Sequence, residues 1–185
     1  MVGTVEWAAR LAERYLAPAL PRRWQHVRSV AAKAHQLSPL VGDDAEALVA
    51  AAWLHDMGYA PDIVATGFHS LDGARWLLRH AAADLRLASL VAHHSCASYE
   101  ADEWGLGQVL RSEFFQEESP TSDALWYADM TTGPDGQDLS VEERLAEIRE
   151  RYGPDSIVTR FWRRAEPALL GAVSRTQCRM AAYPM

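Results

Sequence analysis

The sequence predicts an all-α fold, a helical bundle in one domain spanning residues 1–185. Three observations predict it. Apolar residues recur at helical spacing in segment after segment. No stretch keeps up a period-two alternation, so no sheet is required. Capping and helix-starting residues stand where several of the periodic runs begin. A chain of 185 residues is long enough for one sizeable core.

The elements follow in order. "TVEWAARLAERYL" (4–16) spaces Val5, Ala8, Leu11, Ala12 and Tyr15 on one face, with Thr4 as N-cap. "PRRWQHVRSVAAKAHQL" (21–37) starts on Pro21, favoured in a first turn, and carries Trp24, Val27, Ala31, Ala34 and Leu37 on its apolar face. "DDAEALVAAAWLHDM" (43–57) opens on acidic residues suited to a helix N-terminus, and Gly58 is read as its C-terminal cap. Further helices are expected at 69–81, 84–95, 119–132 (opened by Ser119-Pro120), 140–152 and about 154–180. Segment 97–118 is read as either a short helix or a loop.

Bulk composition removes several function classes. Hydrophobic residues make up 49% and charged residues 23%, ordinary values for a water-soluble globular protein. The net charge of −7 leaves no excess of Lys and Arg for long nucleic acid. Charges break every apolar run well short of the ~20 residues a membrane span needs, and the N-terminus has no basic start or apolar signal core. Two cysteines, Cys96 and Cys178, match neither a disulfide framework nor a zinc ribbon. A cytoplasmic protein with reduced thiols and no membrane partner is expected.

The informative stretch is "AAWLHDMGYAP" (51–61), where His55 and Asp56 end the most apolar segment of the chain. Polar groups so placed are costly unless paired, hydrogen-bonded or metal-bound. Partners occur on other expected helices: His26, His69, the His93-His94 pair and Asp129. Imidazoles suit first-row metals and carboxylates suit harder cations or bridge two ions. Three or four His with two Asp therefore read as a site for one or two metal ions, with positions left open for water and substrate. Adjacent helical residues point ~100° apart, so His55 and Asp56 can share an ion only near a helix end. Singly, each His is more often a solvated or hydrogen-bonded residue. His35 and His80 keep that bland reading, and Cys96 is read as a small buried residue. Arg22-Arg23 is more often a solvated helix start than a phosphate clamp. Glu100 and Glu103 are read as either sugar-hydroxyl contacts or solvent-facing groups.

The order H…HD…H…H…D resembles the HD-domain superfamily of metal-dependent phosphohydrolases. "WQHVRSVAAKA" supplies the first His, "AAWLHDMGYAP" the pair and "WYADMTTGPDG" the last Asp. "FHSLDGARWLL" and "LVAHHS" look like the two extra His of the binuclear branch. The resemblance covers about residues 20–135 and leaves the helices at 140–180 unassigned. It implies His26, His55, Asp56 and Asp129 as core metal ligands, with His69 and His93 completing a second metal. Of the His pair it favours His93, because relatives carry a single His followed by a small polar residue. His94 then either supports a metal ligand from behind or faces substrate.

The implied cofactors are one or two divalent transition-metal ions, among Fe, Mn, Zn, Co and Ni. The implied activity is hydrolysis of a small phosphorylated metabolite, a nucleotide first among them. Asp56 would orient the water, while His94 or Arg23 would hold phosphate or protonate the leaving group. The downstream glycine-tyrosine-proline signature of HD-GYP phosphodiesterases is absent, and so is the multi-domain layout of guanosine tetraphosphate enzymes. Bacterial diadenosine tetraphosphate hydrolases follow this His with a threonine pair, where this chain has "HHSCAS". The rival readings are an HD-type diiron oxygenase and a non-catalytic nucleotide sensor. The oligomeric state, a homodimer included, is left open.

Overall fold

The structure is a computed structural model, and it describes residues 5–183. The N-cap expected at Thr4 lies outside the described residues. The protein is all-α, with no strand among the described residues and one isolated bridge between Thr132 and Asp138. Its helices are α1 (Val5–Leu16), α2 (Pro21–Leu37), α3 (Ala45–Leu54), α4 (His69–His80), α5 (Leu85–Ala92), α6 (Ala97–Glu103), α7 (Gly107–Glu113), α8 (Pro120–Met130), α9 (Val141–Tyr152) and α10 (Ile157–Ala182). Among the described residues no helix is long and apolar enough to cross a membrane.

Local chemistry explains most helix starts. Pro21 and Pro120 occupy first turns, where their missing N–H costs nothing. Ser119, Asp84 and Ser156 each cap a helix by accepting a backbone N–H. Ser140 and Glu143 form a reciprocal capping box at the start of α9. The acidic pair expected to open α3 behaves differently: residues 38–44 wind as a 3-10 turn, and Asp44 binds Arg86 and Thr121 instead of capping. Segment 97–118 holds both α6 and α7.

The helices build two apolar cores. The larger gathers α1 to α5 with Ala124, Leu125 and Ala128 of α8. Its axis is α3, buried from Leu48 to Ala52 and at Leu54, whose small alanines let α1, α2, α5 and α8 pack close around it. The smaller joins Trp126 and Met130 of α8 to Cys96, Val141, Leu145 and Ile148 of α9 and the first half of α10. Helix α8 is thus apolar on two faces, one per core.

Candidate metal centre

Two helix breaks set the site. Helix α3 stops at Leu54, His55 is its C-cap residue, and Met57–Tyr59 follow as a single 3-10 turn. The turn lets His55 Nε2 and Asp56 Oδ2 converge to 3.4 Å, as adjacent residues cannot do within a helix. Gly58 does not act as the expected cap. It is needed for close approach: a Cβ there would stand 1.9 Å from the His69 carbonyl oxygen and 2.7 Å from the Gly73 nitrogen. The HD turn is thereby seated on the start of α4, where His69 is the first residue. Asp72 holds the loop leading to α4, its carboxylate accepting the backbone N–H groups of Ala65, Thr66 and Gly67.

The second break corrects the expected helix 84–95. Helix α5 ends at Ala92, and Ser95 and Cys96 adopt left-handed backbone with φ of 46° and 61°. Non-glycine residues hold this conformation only where surroundings enforce it. Here Ser95 Oγ donates to Asp129 Oδ2 and the buried Cys96 thiol lies against the Ala165 carbonyl of α10.

That break also reverses the roles read within the His pair. His93 turns away: its Nε2 lies 3.0 Å from the Phe114 carbonyl, which can only accept, and its own carbonyl accepts Trp126 Nε1–H. His94 turns inward, with Nε2 3.2 Å from His69 Nε2. The physical reason is the change of backbone after Ala92, which the helical expectation for 84–95 did not contain. His35 and His80 are exposed and belong to neither donor group.

Two groups of donor atoms result, each with its atoms within 4.8 Å of one another: His26, His55 and Asp129, and Asp56, His69 and His94. Asp56 joins them. Its Oδ2 is 3.4 Å from His55 Nε2 and 3.9 Å from His26 Nε2, while Oδ1 is 3.8 Å from His69 Nε2. His26 Nε2 lies 3.0 Å from Asp129 Oδ1.

The imidazoles are arranged as ligands. Nδ1 of His26, His55 and His94 lies against the carbonyls of Gly133, Ala52 and Val91 at 3.0, 2.7 and 2.6 Å. A carbonyl cannot donate, so in the neutral imidazole each Nδ1 carries the proton and each Nε2 points its lone pair inward. Those lone pairs meet carboxylate oxygens or each other, which is repulsive without a positive charge between them. His55 Nε2 is fully buried and has no hydrogen-bond partner among the described residues. Four imidazoles and two carboxylates aimed inward fit divalent transition-metal ions.

The electrostatics agree. Burial would lower His55, but Asp56 and Asp129 outweigh it and hold the imidazole up at about 9, so a proton serves where a cation could. Burial likewise opposes the charge on Asp56, yet Arg23 and then His55 hold it well below the usual carboxylate range. Asp129 is held low against burial by His26 and His55. Burial lowers His69 and His94, each aided by a neighbouring imidazole, which keeps both in the neutral form a metal needs.

His26, Asp56, His69, His94 and Asp129 line the floor of a cavity of about 410 Å³, with His55 fully buried among them. Arg23 enters it, donating to Asp56 Oδ2 at 2.5 Å and stacked 3.5 Å over the Tyr59 ring. Tyr59 in turn stacks on His69, with centroids 4.1 Å apart. Arg22 is the solvated helix start that was expected of the pair, bound to Asp135 at the surface. Glu100 lines the cavity and burial pushes its carboxyl up to about 7. Glu103 instead pairs with Arg160 and Arg164.

The sequence reading missed Tyr59 and the outer wall, made by Arg144, Ile148 and Tyr152 of α9 and Val158, Phe161 and Trp162 of α10. The i, i+4, i+8 spacing of 144, 148 and 152 was a usable signal for one shared helix face. A family model described as HD domain matches residues 23–152. The match runs past the motif-bearing segment to the end of α9. No curated protein and no solved structure matches the chain.

Proposed function

Because the chain belongs to the HD-domain family, we propose that it is a metal-dependent phosphohydrolase acting on a small phosphorylated metabolite, a nucleotide first among the candidates. One observation carries this reading: two inward-facing donor groups, joined through Asp56, form the floor of a cavity large enough for a single small ligand. Divalent ions held there supply Lewis acidity and a water acidified toward neutral pH. His26, His55 and Asp129 would hold one ion, and His69 and His94 a second, with Asp56 reaching both.

The chain's own groups do the rest. Asp56, standing between the two donor groups, would fix where the attacking water lies relative to the phosphoryl group. Arg23 binds phosphoryl oxygens, since only one of its five N–H donors is committed to Asp56 in this arrangement. Arg23 does not protonate the leaving group, because a guanidinium keeps its proton. Tyr59, between Arg23 and His69, keeps both planar groups in place. The net charge of −7 disfavours long polyanions at a distance.

The test is to strip the protein, reload it anaerobically with Mn, Fe, Co, Ni or Zn, and screen phosphorylated metabolites for phosphate release. Release that needs metal and not dioxygen supports the reading. Activity that requires dioxygen, or equal degradation of RNA and mononucleotides, contradicts it.

A further inference from the structure

We propose that Arg144 and Arg151, held on the shared carboxylate of Glu147, form a subsite on the outer cavity wall for a second anionic group of the substrate. The inference rests on the hydrolase reading above and deepens it. The substrate class is a small molecule whose phosphate lies at the His/Asp floor, whose apolar middle lies against Ile148 and Trp162, and whose second anion meets Arg144.

Arg144 is the reason. Its side chain is nine-tenths buried and lines the same cavity as the two donor groups. Nε of Arg144 is buried with no hydrogen-bond partner among the described residues. Among the described residues its side chain donates to Glu147 Oε2, through Nη1. A guanidinium held this deep with an N–H lacking an acceptor is costly, and a ligand anion against its cavity-facing donors would offset that cost. Glu147 cannot neutralise the site alone, because its Oε1 also takes Arg151 Nε at 3.2 Å. Two guanidinium groups thus share one carboxylate, leaving one net positive charge on this wall. Arg151 lines the cavity as well.

The apolar stretch completes the argument. Ile148 and Trp162 are 4% exposed, yet both line the cavity. They come from α9 and α10, the helices whose role the sequence left unassigned. A substrate with one phosphate and otherwise only hydroxyl groups would leave this apolar surface unmatched and bring no second anion to Arg144.

The test uses equilibrium binding to manganese-loaded protein, which does not depend on turnover. The probes are phenylphosphonate and its derivatives carrying a carboxylate, or a second phosphonate, at the meta or para position. At least one two-anion probe should bind about tenfold tighter than phenylphosphonate, the scale of a charge-assisted hydrogen bond. Whether the carboxylate or the phosphonate gains more identifies the second anion. Arg144→Gln should bring the two-anion to one-anion ratio near one, whereas a purely structural Arg144 would change all affinities together and keep the ratio. Should Arg144→Gln fail to fold, Glu147→Gln at a partly exposed position frees both guanidinium groups and should increase the ratio. No gain for any two-anion probe, an unchanged ratio in Arg144→Gln, or an unchanged ratio in Glu147→Gln overturns the proposal. Phosphate release without discrimination removes the subsite alone, and discrimination without phosphate release removes the hydrolase reading alone.

Discussion

The two cores meet at the cavity and supply it with different things. The larger, built on α3, gives the floor: His26 on α2, His55 and Asp56 after α3, His69 on α4 and His94 after α5. The smaller, built on α9 and α10, gives the wall: Arg144, Ile148, Phe161 and Trp162. Helix α8 belongs to both, and its Asp129 is the floor residue placed between them. The contrast teaches a division of labour. Donor atoms that must converge within a few ångströms are set by tight alanine packing and backbone breaks. The wall groups Arg144, Ile148 and Trp162 stand on the smaller core, which reaches the floor through Asp129 and the Cys96–Ala165 contact.

The strongest way to break the floor is Asp56→Ala. It removes the one carboxylate that reaches both donor groups and leaves Arg23 without its partner. Metal affinity, measured by competition with a chromogenic chelator, should fall more than about 100-fold, beyond the cost of altering groups that only support a ligand. The same assay separates the His pair. His94→Ala should lose metal to a similar degree, whereas His93→Ala should keep its metal and lose stability through the Phe114 contact.

A matched pair of core truncations tests the independence of the two regions. Leu54 and Leu169 are both fully buried, one beside His55 and the other in α10. Each change to Ala should cost about 3 kcal/mol in chemical denaturation. Leu54→Ala should also weaken metal binding, and Leu169→Ala should not. Equal loss of metal in both would dissolve the distinction. Gly58→Ala belongs with the floor: its Cβ would meet the backbone of His69 and Gly73, so ~2 kcal/mol of stability and the second metal should be lost together.

The smallest effect is one of pH. Burial holds the Glu100 carboxyl at about 7 against an ordinary 4.5. Between those values the folded chain keeps a proton that the unfolded chain has released, so this group makes stability fall as pH rises through the window. In metal-free protein, Glu100→Gln should therefore raise the Tm more at pH 8 than at pH 4. An equal shift at both would show that folding leaves the Glu100 carboxyl at its ordinary value.

Much of the floor was legible in the sequence because its signals are local. Helical periodicity gave α2 its bounds, and Ser119-Pro120 marked the start of α8. Polar groups at the end of an apolar run pointed to His55 and Asp56. What failed was everything that depends on backbone departing from the helix. Periodicity carried the fifth helix through His94, so the left-handed Ser95 and Cys96, and with them the choice between His93 and His94, were invisible. Gly58 looked like a cap because its real constraint is a neighbour eleven residues on, His69. Arg144 was hidden in a charged, ordinary-looking helix, since only tertiary packing shows that its guanidinium is buried.

The account stands on cations being held between the two donor groups. Diffraction data from crystals of the manganese-loaded protein, collected above and below the metal absorption edge, test this most directly. Anomalous density should lie among His26, His55, Asp56 and Asp129, and at higher occupancy also among Asp56, His69 and His94. Density absent from both positions in crystals whose protein contains the metal, or present only at another site, would contradict it.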